Sequence, residues 1–310
     1  MKSSRYLGLA ILAVILAVLP LALSNGYYYD VAIRIAINAV IVIGLNLLIG
    51  FAGQISLGHA GFIGIGAYAT AILTTHFNWH PLLAMAAGAV AAGLLAVLIA
   101  KPIFKLKGHY LAMATLGLGI IIAIVINNEG QYTGGPDGMS VAALNIFGFE
   151  IAGEQRWYWL TAGLLLFSVW ASLNLIDSPF GRALRALHGS EVASQVVGVD
   201  VARYKVAIFT LSAVFASIMG SLTAHYVGFL TPGVAGFFHS IELMTMVVIG
   251  GMASVFGSVI GAAILTMLPQ LLTALEGWET VAFGGILIFT MIFMPKGLVP
   301  TLVARLGKGN

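Results

Sequence analysis

Long apolar blocks alternate with short polar stretches along this chain, falling near residues 7–24, 31–50, 54–76, 82–100, 109–127, 157–176, 206–228, 241–256, 258–275 and 281–295. Most approach the roughly 20 residues that an α-helix needs to cross the hydrocarbon core of a bilayer. Between Arg34 and Lys101 there is no Asp, Glu, Lys or Arg, a run long enough for about three crossings. A helix buried in a soluble core has no use for that length. The pattern predicts an all-α membrane protein, a polytopic helical bundle of about ten transmembrane helices in a single domain spanning 1–310.

Charge tests the count, because cytoplasmic loops collect Lys and Arg. With the N-terminus inside, the inner segments hold Lys2 and Arg5; Lys101, Lys105 and Lys107; Arg182, Arg185, Arg203 and Lys205; and Lys296, Arg305 and Lys308. Only Arg34 and Arg156 fall outside, near span ends from which a long stem snorkels to the interface. The 177–205 loop and the C-terminal tail are both basic, so an even number of crossings separates them and both termini are cytoplasmic. The stretch from Glu242 to Glu276 is long for one span and short for two. Two short helices hinged near Gly257 satisfy the parity. A re-entrant hairpin does so equally, leaving eight spans plus the pair. The first block follows Lys2 and Arg5 as a secretory signal would, but its length and the parity favour an uncleaved helix.

Composition agrees: 60% of residues are hydrophobic and 8% charged, with mean hydropathy +1.03. The 38 glycines suit helices that approach closely or break within the membrane. Cysteine is absent, which excludes disulfides and thiolate metal sites. No Lys/Arg tract is long enough for nucleic acid. Tyr27, Tyr28, Tyr29, Trp157 and Trp159 stand where aromatic belts form. The largest outer loop, 128–156, carries the turn formers Gly134, Gly135, Pro136, Asp137 and Gly138 and the acids Glu129, Glu150 and Glu154. It is expected to be ordered as turns on a negative face.

Polar chemistry inside the spans is sparse. The stretch GFAGQISLGHAG places Gly53, Gln54, Ser56, Gly58 and His59 at one point, where glycines lead into or interrupt a helix. With Asn46 upstream, these are candidates for a translocation pathway; helix–helix packing explains them equally well. A dinucleotide loop at Gly64-Ile65-Gly66 has no strand around it. Catalysis by His59 has no neighbouring nucleophile or carboxylate in sequence. A second glycine cluster holds Gly250, Gly251, Gly257 and Gly261. Glu242, at the start of that region, is the one acid that falls in a span, and it is placed at the outer interface. An ion-coupled secondary transporter would need more such acids, and an intramembrane enzyme would need facing catalytic groups.

The 177–205 loop, DSPFGRALRALHGSEVASQVVGVDVARYK, is the largest polar interruption on the basic side. Ser178 can cap a helix that starts at Pro179. Arg182 and Arg185 share one face of it, and Gly189 and Gly198 break the chain around 191–197. A helix–break–helix of this kind suits docking to soluble machinery.

Three stretches together resemble the permease subunits of bacterial branched-chain amino acid ABC transporters, specifically the LivM-like branch: LNLLIGFAGQISLGHAGFIGIGAYATAIL at 45–73, GHYLAMATLGLG with TGGPDGM at 108–139, and SPFGRALRALHGSEVASQVVGVDVARYK at 178–205. The VVIGGMASVFGSVIGA stretch is similar to the late glycine-rich segment of that family. The resemblance implies a transport subunit of the bacterial cytoplasmic (inner) membrane, without a bound cofactor, moving leucine, isoleucine or valine. Related permeases handle urea, amides and other amino acids. It further implies a second, LivH-like permease, two cytoplasmic ATPases and an external substrate-binding protein as partners. This chain has no GxxxxGK[ST] phosphate loop, so ATP hydrolysis belongs to the separate subunits. Pro179, Gly181, Arg182, Arg185, Glu191, Ala193 and Gly198 are then the candidate contacts for coupling to an ATPase.

Overall fold

Helix caps and glycine breaks divide the chain into twelve α-helices among the described residues of the computed structural model, which describes residues 2–23, 25–146 and 148–272 together with 281, 284, 285 and 288. In order, α1 is Lys2–Ala22, α2 Gly26–Asn46, α3 His59–Thr75, α4 Pro81–Ile103, α5 His109–Asn128 and α6 the single turn Gly130–Thr133. They are followed by α7 Glu154–Asp177, α8 Pro179–Gly189, α9 Glu191–Val196, α10 Val201–Val227, α11 Phe237–Gly250 and α12 Val255–Leu272. A π turn, Leu47–Phe51, extends α2. Five helices are long and apolar enough to cross a membrane: Gly26–Phe51, Pro81–Ile103, His109–Asn128, Glu154–Asp177 and Val201–Val227. Shorter apolar helices run over Tyr6–Leu21, Phe237–Gly250 and Val255–Gln270. The chain is a multi-pass helical membrane protein. The expected span at 281–295 lies outside the described residues.

Burial follows what lipid demands. The α2 helix is the centre, with Ile33, Val40, Val42 and Leu45 all sealed from the surface. Its neighbours are α7, α10, α11 and α12. By contrast, α1, α4 and α5 display Leu7, Ile11, Leu94, Leu98, Ile121 and Val125 outward, as a lipid-facing wall should. Helices meet through small residues. A Cβ on Gly66 would overlap the Ser217 carbonyl, and one on Gly220 the Ile63 carbonyl, so α3 and α10 touch backbone to backbone. Gly58 and Gly119 likewise bring the start of α3 against α5.

The contacts define two ends of the bundle. Tyr6 donates to Asn174 Oδ1 (3.4 Å) and Tyr158 to the Leu16 carbonyl (2.6 Å), so α1 and α7 run antiparallel. At one end lie the start of α1, the α4–α5 turn with Lys101, Lys105 and Lys107, and α8, α9 and the start of α10. At the other end, short strands tie the 128–156 loop to the end of α10. There Met139–Ser140 pairs antiparallel with Phe229–Leu230, with Met139 opposite Leu230, and Asn145–Ile146 pairs with Phe149–Glu150. Gly134, Gly135 and Gly138 all adopt left-handed backbone here, so the expected turns are present.

Two expectations need correction. Residues 53–58 form an irregular, non-helical link, so the third block becomes helical only at His59; Gly53 takes φ +67°, which ends the preceding helix. The late reversal falls at 251–254 and not at Gly257. Gly251 (φ +112°) and Ala253 (φ +59°) turn the chain, whereas Gly257 is needed for close contact with the Gly250 carbonyl. Substituting Gly66 or Gly220 by Val should therefore lower stability by about 1–3 kcal/mol. Gly163→Ala, which meets open space, should be neutral in the same thermal melt of the detergent-solubilised protein.

Candidate functional site

The late interruption of the bundle, at 251–254, is held by one side chain. Asn46, 2% exposed, donates from Nδ2 to the Gly251 carbonyl (3.3 Å), the Ser254 carbonyl (2.9 Å) and Ser258 Oγ (2.8 Å), while Oδ1 accepts from the Ala253 amide (3.0 Å). A carboxamide is the one neutral side chain with two donors and an acceptor. It closes the α11–α12 turn around an alanine in left-handed backbone, a conformation that costs roughly 1–2 kcal/mol. Gly50 lies directly beneath, where any Cβ would overlap the Ala253 amide nitrogen.

The irregular segment 53–58 is held in a similar manner. Gln54 Nε2 donates to the Ala52 carbonyl (3.0 Å), the Leu57 amide to Thr115 Oγ1 (3.1 Å) and the Ala60 amide to Ser240 Oγ (3.0 Å). Side chains of α5 and α11 thus supply partners that the missing helical turns would have provided. His59 is fully buried, its Nε2 facing the Ser212 carbonyl (3.2 Å) and Oγ (3.0 Å). Its Nδ1 and Ser56 Oγ have no hydrogen-bond partner among the described residues. Gly58 allows the close approach to Thr115. All of these side chains are therefore packed inside protein.

At the basic end, α7, α8, α9 and α10 form a braced elbow. Ser178 Oγ accepts from the Gly181 amide (3.3 Å), with Pro179 in the first turn, and Ser190 Oγ accepts from the Ala193 amide (3.2 Å). Gly181 has no room for a Cβ against the Ile176 carbonyl. Arg182 donates to the Asp177 carbonyl (3.0 Å) and Arg185 to the Ile176 carbonyl (3.0 Å), placing cations on the C-terminus of α7. Glu191 pairs with Lys205, whose side chain is 3% exposed and stands 5.8 Å from the Phe104 ring centre. Gly198 (φ +86°) ends α9. The elbow is anchored on its inner side, yet α9 turns Val192, Val196 and Val197 outward at 68%, 82% and 75% exposure. Sequence reading passed over these valines, since an apolar residue beside a span draws no notice, and it missed Lys205 as a buried brace.

The elbow also touches the interruptions. His188 packs on Gly53, and a cavity of about 400 Å³ is lined by Arg185 and His188 on one side and Gly50, Phe51, Ala253 and Ser254 on the other. A second cavity, about 440 Å³, opens between α2, α3, α10, α11 and α12 towards the other end, with Arg34, Asn38, Tyr226, His239, Glu242 and Thr266 on its walls. None of Asn46, Gln54, Ser56, Gly58 or His59 lines it.

Residues 27–295 match the family described as "Branched-chain amino acid transport system / permease component". The protein LivM of Salmonella typhimurium, a high-affinity branched-chain amino acid transport system permease, is 32% identical over 93% of this chain and 73% of its own. The chain belongs to this permease family. It is a LivM-like, multi-pass permease component of a bacterial ABC importer of the inner membrane, and not the catalytic subunit. LivH of Escherichia coli is 24% identical over 84% of this permease and 90% of LivH. The ribose import permease RbsC of Haemophilus influenzae is 26% identical over 78% of this chain and 75% of its own. No solved structure matches.

Replacing Asn46 by Ala strands the turn's donor and acceptors at once. Each buried orphan costs about 1–3 kcal/mol. Limited proteolysis of the solubilised permease should then cut at 251–254 at least tenfold faster than in the parent.

Proposed function

We propose that this permease is one of two membrane subunits of an ATP-driven importer for leucine, isoleucine or valine, paired with a LivH-like permease. An external binding protein delivers cargo and two cytoplasmic ATPases drive the cycle. Both termini and the 177–205 elbow lie in the cytoplasm, and the 128–156 loop lies outside. The gathering of Lys101, Lys105, Lys107, Arg182, Arg203 and Lys205 at one end of the bundle supports that orientation.

One observation carries the coupling role: α9 and its C-cap present three exposed valines from an elbow that Glu191–Lys205 and Arg185 tie to α10 and α7. A short helix with an apolar tip is suited to a groove on a soluble partner. Its bracing lets it move as a rigid body with α7 and α10. Within this reading Arg182, Arg185 and Glu191 fix the elbow, Pro179, Gly181, Ala193 and Gly198 shape it, and α9 makes the contact. The cavity beneath Arg185 and His188 passes its motion to Gly53 and to the Asn46-held turn. The buried group Gln54, Ser56, Gly58 and His59 forms the movable wall of the pathway rather than its lining.

Cysteine placed at Val196, in a chain with no other, should crosslink to an ATPase subunit in the assembled importer. Val196→Asp should reduce ATP-driven leucine uptake by about tenfold or more, as expected when an interface anchor is lost. Uptake of leucine by this chain alone along an ion gradient, or full activity of the Asp variant, would refute the assignment.

A further inference from the structure

We infer that the cavity at the end remote from α8 is a transient binding site for a zwitterion with an aliphatic side chain, with Arg34 receiving the carboxylate and Glu242 the ammonium. This deepens the reading above and rests on it. Sequence placed both charges at an interface, Arg34 near the start of a span. The α2 helix begins at Gly26, eight residues earlier, so Arg34 stands about 12 Å along the helix at the standard rise. Glu242 lines the same cavity, its side chain 33% exposed against 48% for Arg34. Its helix, α11, starts beside the first turn of α3, where the Ala60 amide donates to Ser240 Oγ.

Charges at such depth do not face lipid; they face protein or a watery path. Both have unused capacity. Arg34 spends Nε on Asp30 (2.8 Å), and Asp30 is further satisfied by the Tyr226 hydroxyl (2.6 Å). The two terminal nitrogens of the guanidinium have no partner among the described residues. Glu242 has a single contact among them, His239 Nδ1 at 3.4 Å. Asn38 is engaged with Thr266 (3.0 Å) and closes the polar wall between them. Ile37, Ile41, Ile63, Val234 and Leu265 give the lining an aliphatic part, beside the hydroxyls of Thr223, Thr231 and Tyr226. A cation, an anion and an apolar floor in one cavity of about 440 Å³ match a small amino acid in every part. A neutral sugar would leave both charges unused, and a simple ion would leave the floor unused.

The test uses the fully assembled importer in proteoliposomes, with leucine as the probe. Arg34→Gln and Glu242→Gln should each lower uptake about tenfold or more, the loss expected for a charged hydrogen bond. ATP hydrolysis and leucine capture by the binding protein should persist. In a second measurement a single cysteine at Val234 is alkylated during turnover. Leucine should slow the reaction at least fivefold, whereas the corresponding α-hydroxy acid and isopentylamine, each lacking one charge, should not. Parental uptake in both variants, or equal protection by all three compounds, overturns the site while leaving the amino acid importer intact. An importer that moves no leucine at all overturns both.

Discussion

The Asn46 carboxamide is the constraint on which the interior depends, because it satisfies backbone groups that neither a helix nor water supplies. A bilayer tolerates non-helical chain only where protein replaces the lost hydrogen bonds. The turn at 251–254 interrupts the helical hydrogen bonding, and one side chain on α2 meets three of its backbone groups, the Gly251 and Ser254 carbonyls and the Ala253 amide, together with Ser258 Oγ. Gly50 and the paired Gly250 and Gly257 then follow as necessities, since the turn must come within backbone distance for an amide to reach it. The left-handed Ala253 is strain that this latch holds in place.

The same economy links the two interruptions to the elbow. Residues 53–60 lean on Thr115 and Ser240, residues 251–254 lean on Asn46, and His188 meets both, packing on Gly53 and sharing a cavity with Ala253 and Ser254. The helices that carry the lipid-facing wall, α1, α4 and α5, have no such breaks within their apolar runs. Deformable backbone is thus concentrated between the elbow and the centre, while the periphery stays regular. That distribution favours rigid motion of packed helices about two soft points over general flexibility.

Much of this was legible in the order of residues. Periodic apolar blocks located the helices, and the basic loops located one end of the bundle, because lipid penalises both errors heavily. Ser178-Pro179 announced α8 through local capping chemistry, and Gly189 and Gly198 marked off the segment that holds α9. The glycines of 50–58 announced an interruption. What escaped was long-range. Nothing near Asn46 in sequence reveals that its partners are some two hundred positions away. Gly257 read as a hinge because packing glycines and turning glycines look alike until φ is known. That Arg34 and Glu242 line one cavity could not be read either, because they stand on helices more than two hundred positions apart.

The relatives sharpen where cargo is read. A permease named for ribose and two named for branched-chain amino acids share identity with this chain over most of its length. A frame shared across such cargoes cannot carry the choice in its packing glycines or in the Asn46 latch, which serve the backbone whatever passes. Choice requires side chains that differ in charge at the point of passage. In this permease the terminal guanidinium nitrogens of Arg34 and the lightly held carboxylate of Glu242 have that character, and both line one cavity. Charges inside a membrane protein are costly unless they are neutralised, and the partners Asp30 and His239 leave part of each group unengaged. A passing zwitterion engages that part with each end, and its weak, two-point grip is the kind a pathway can release.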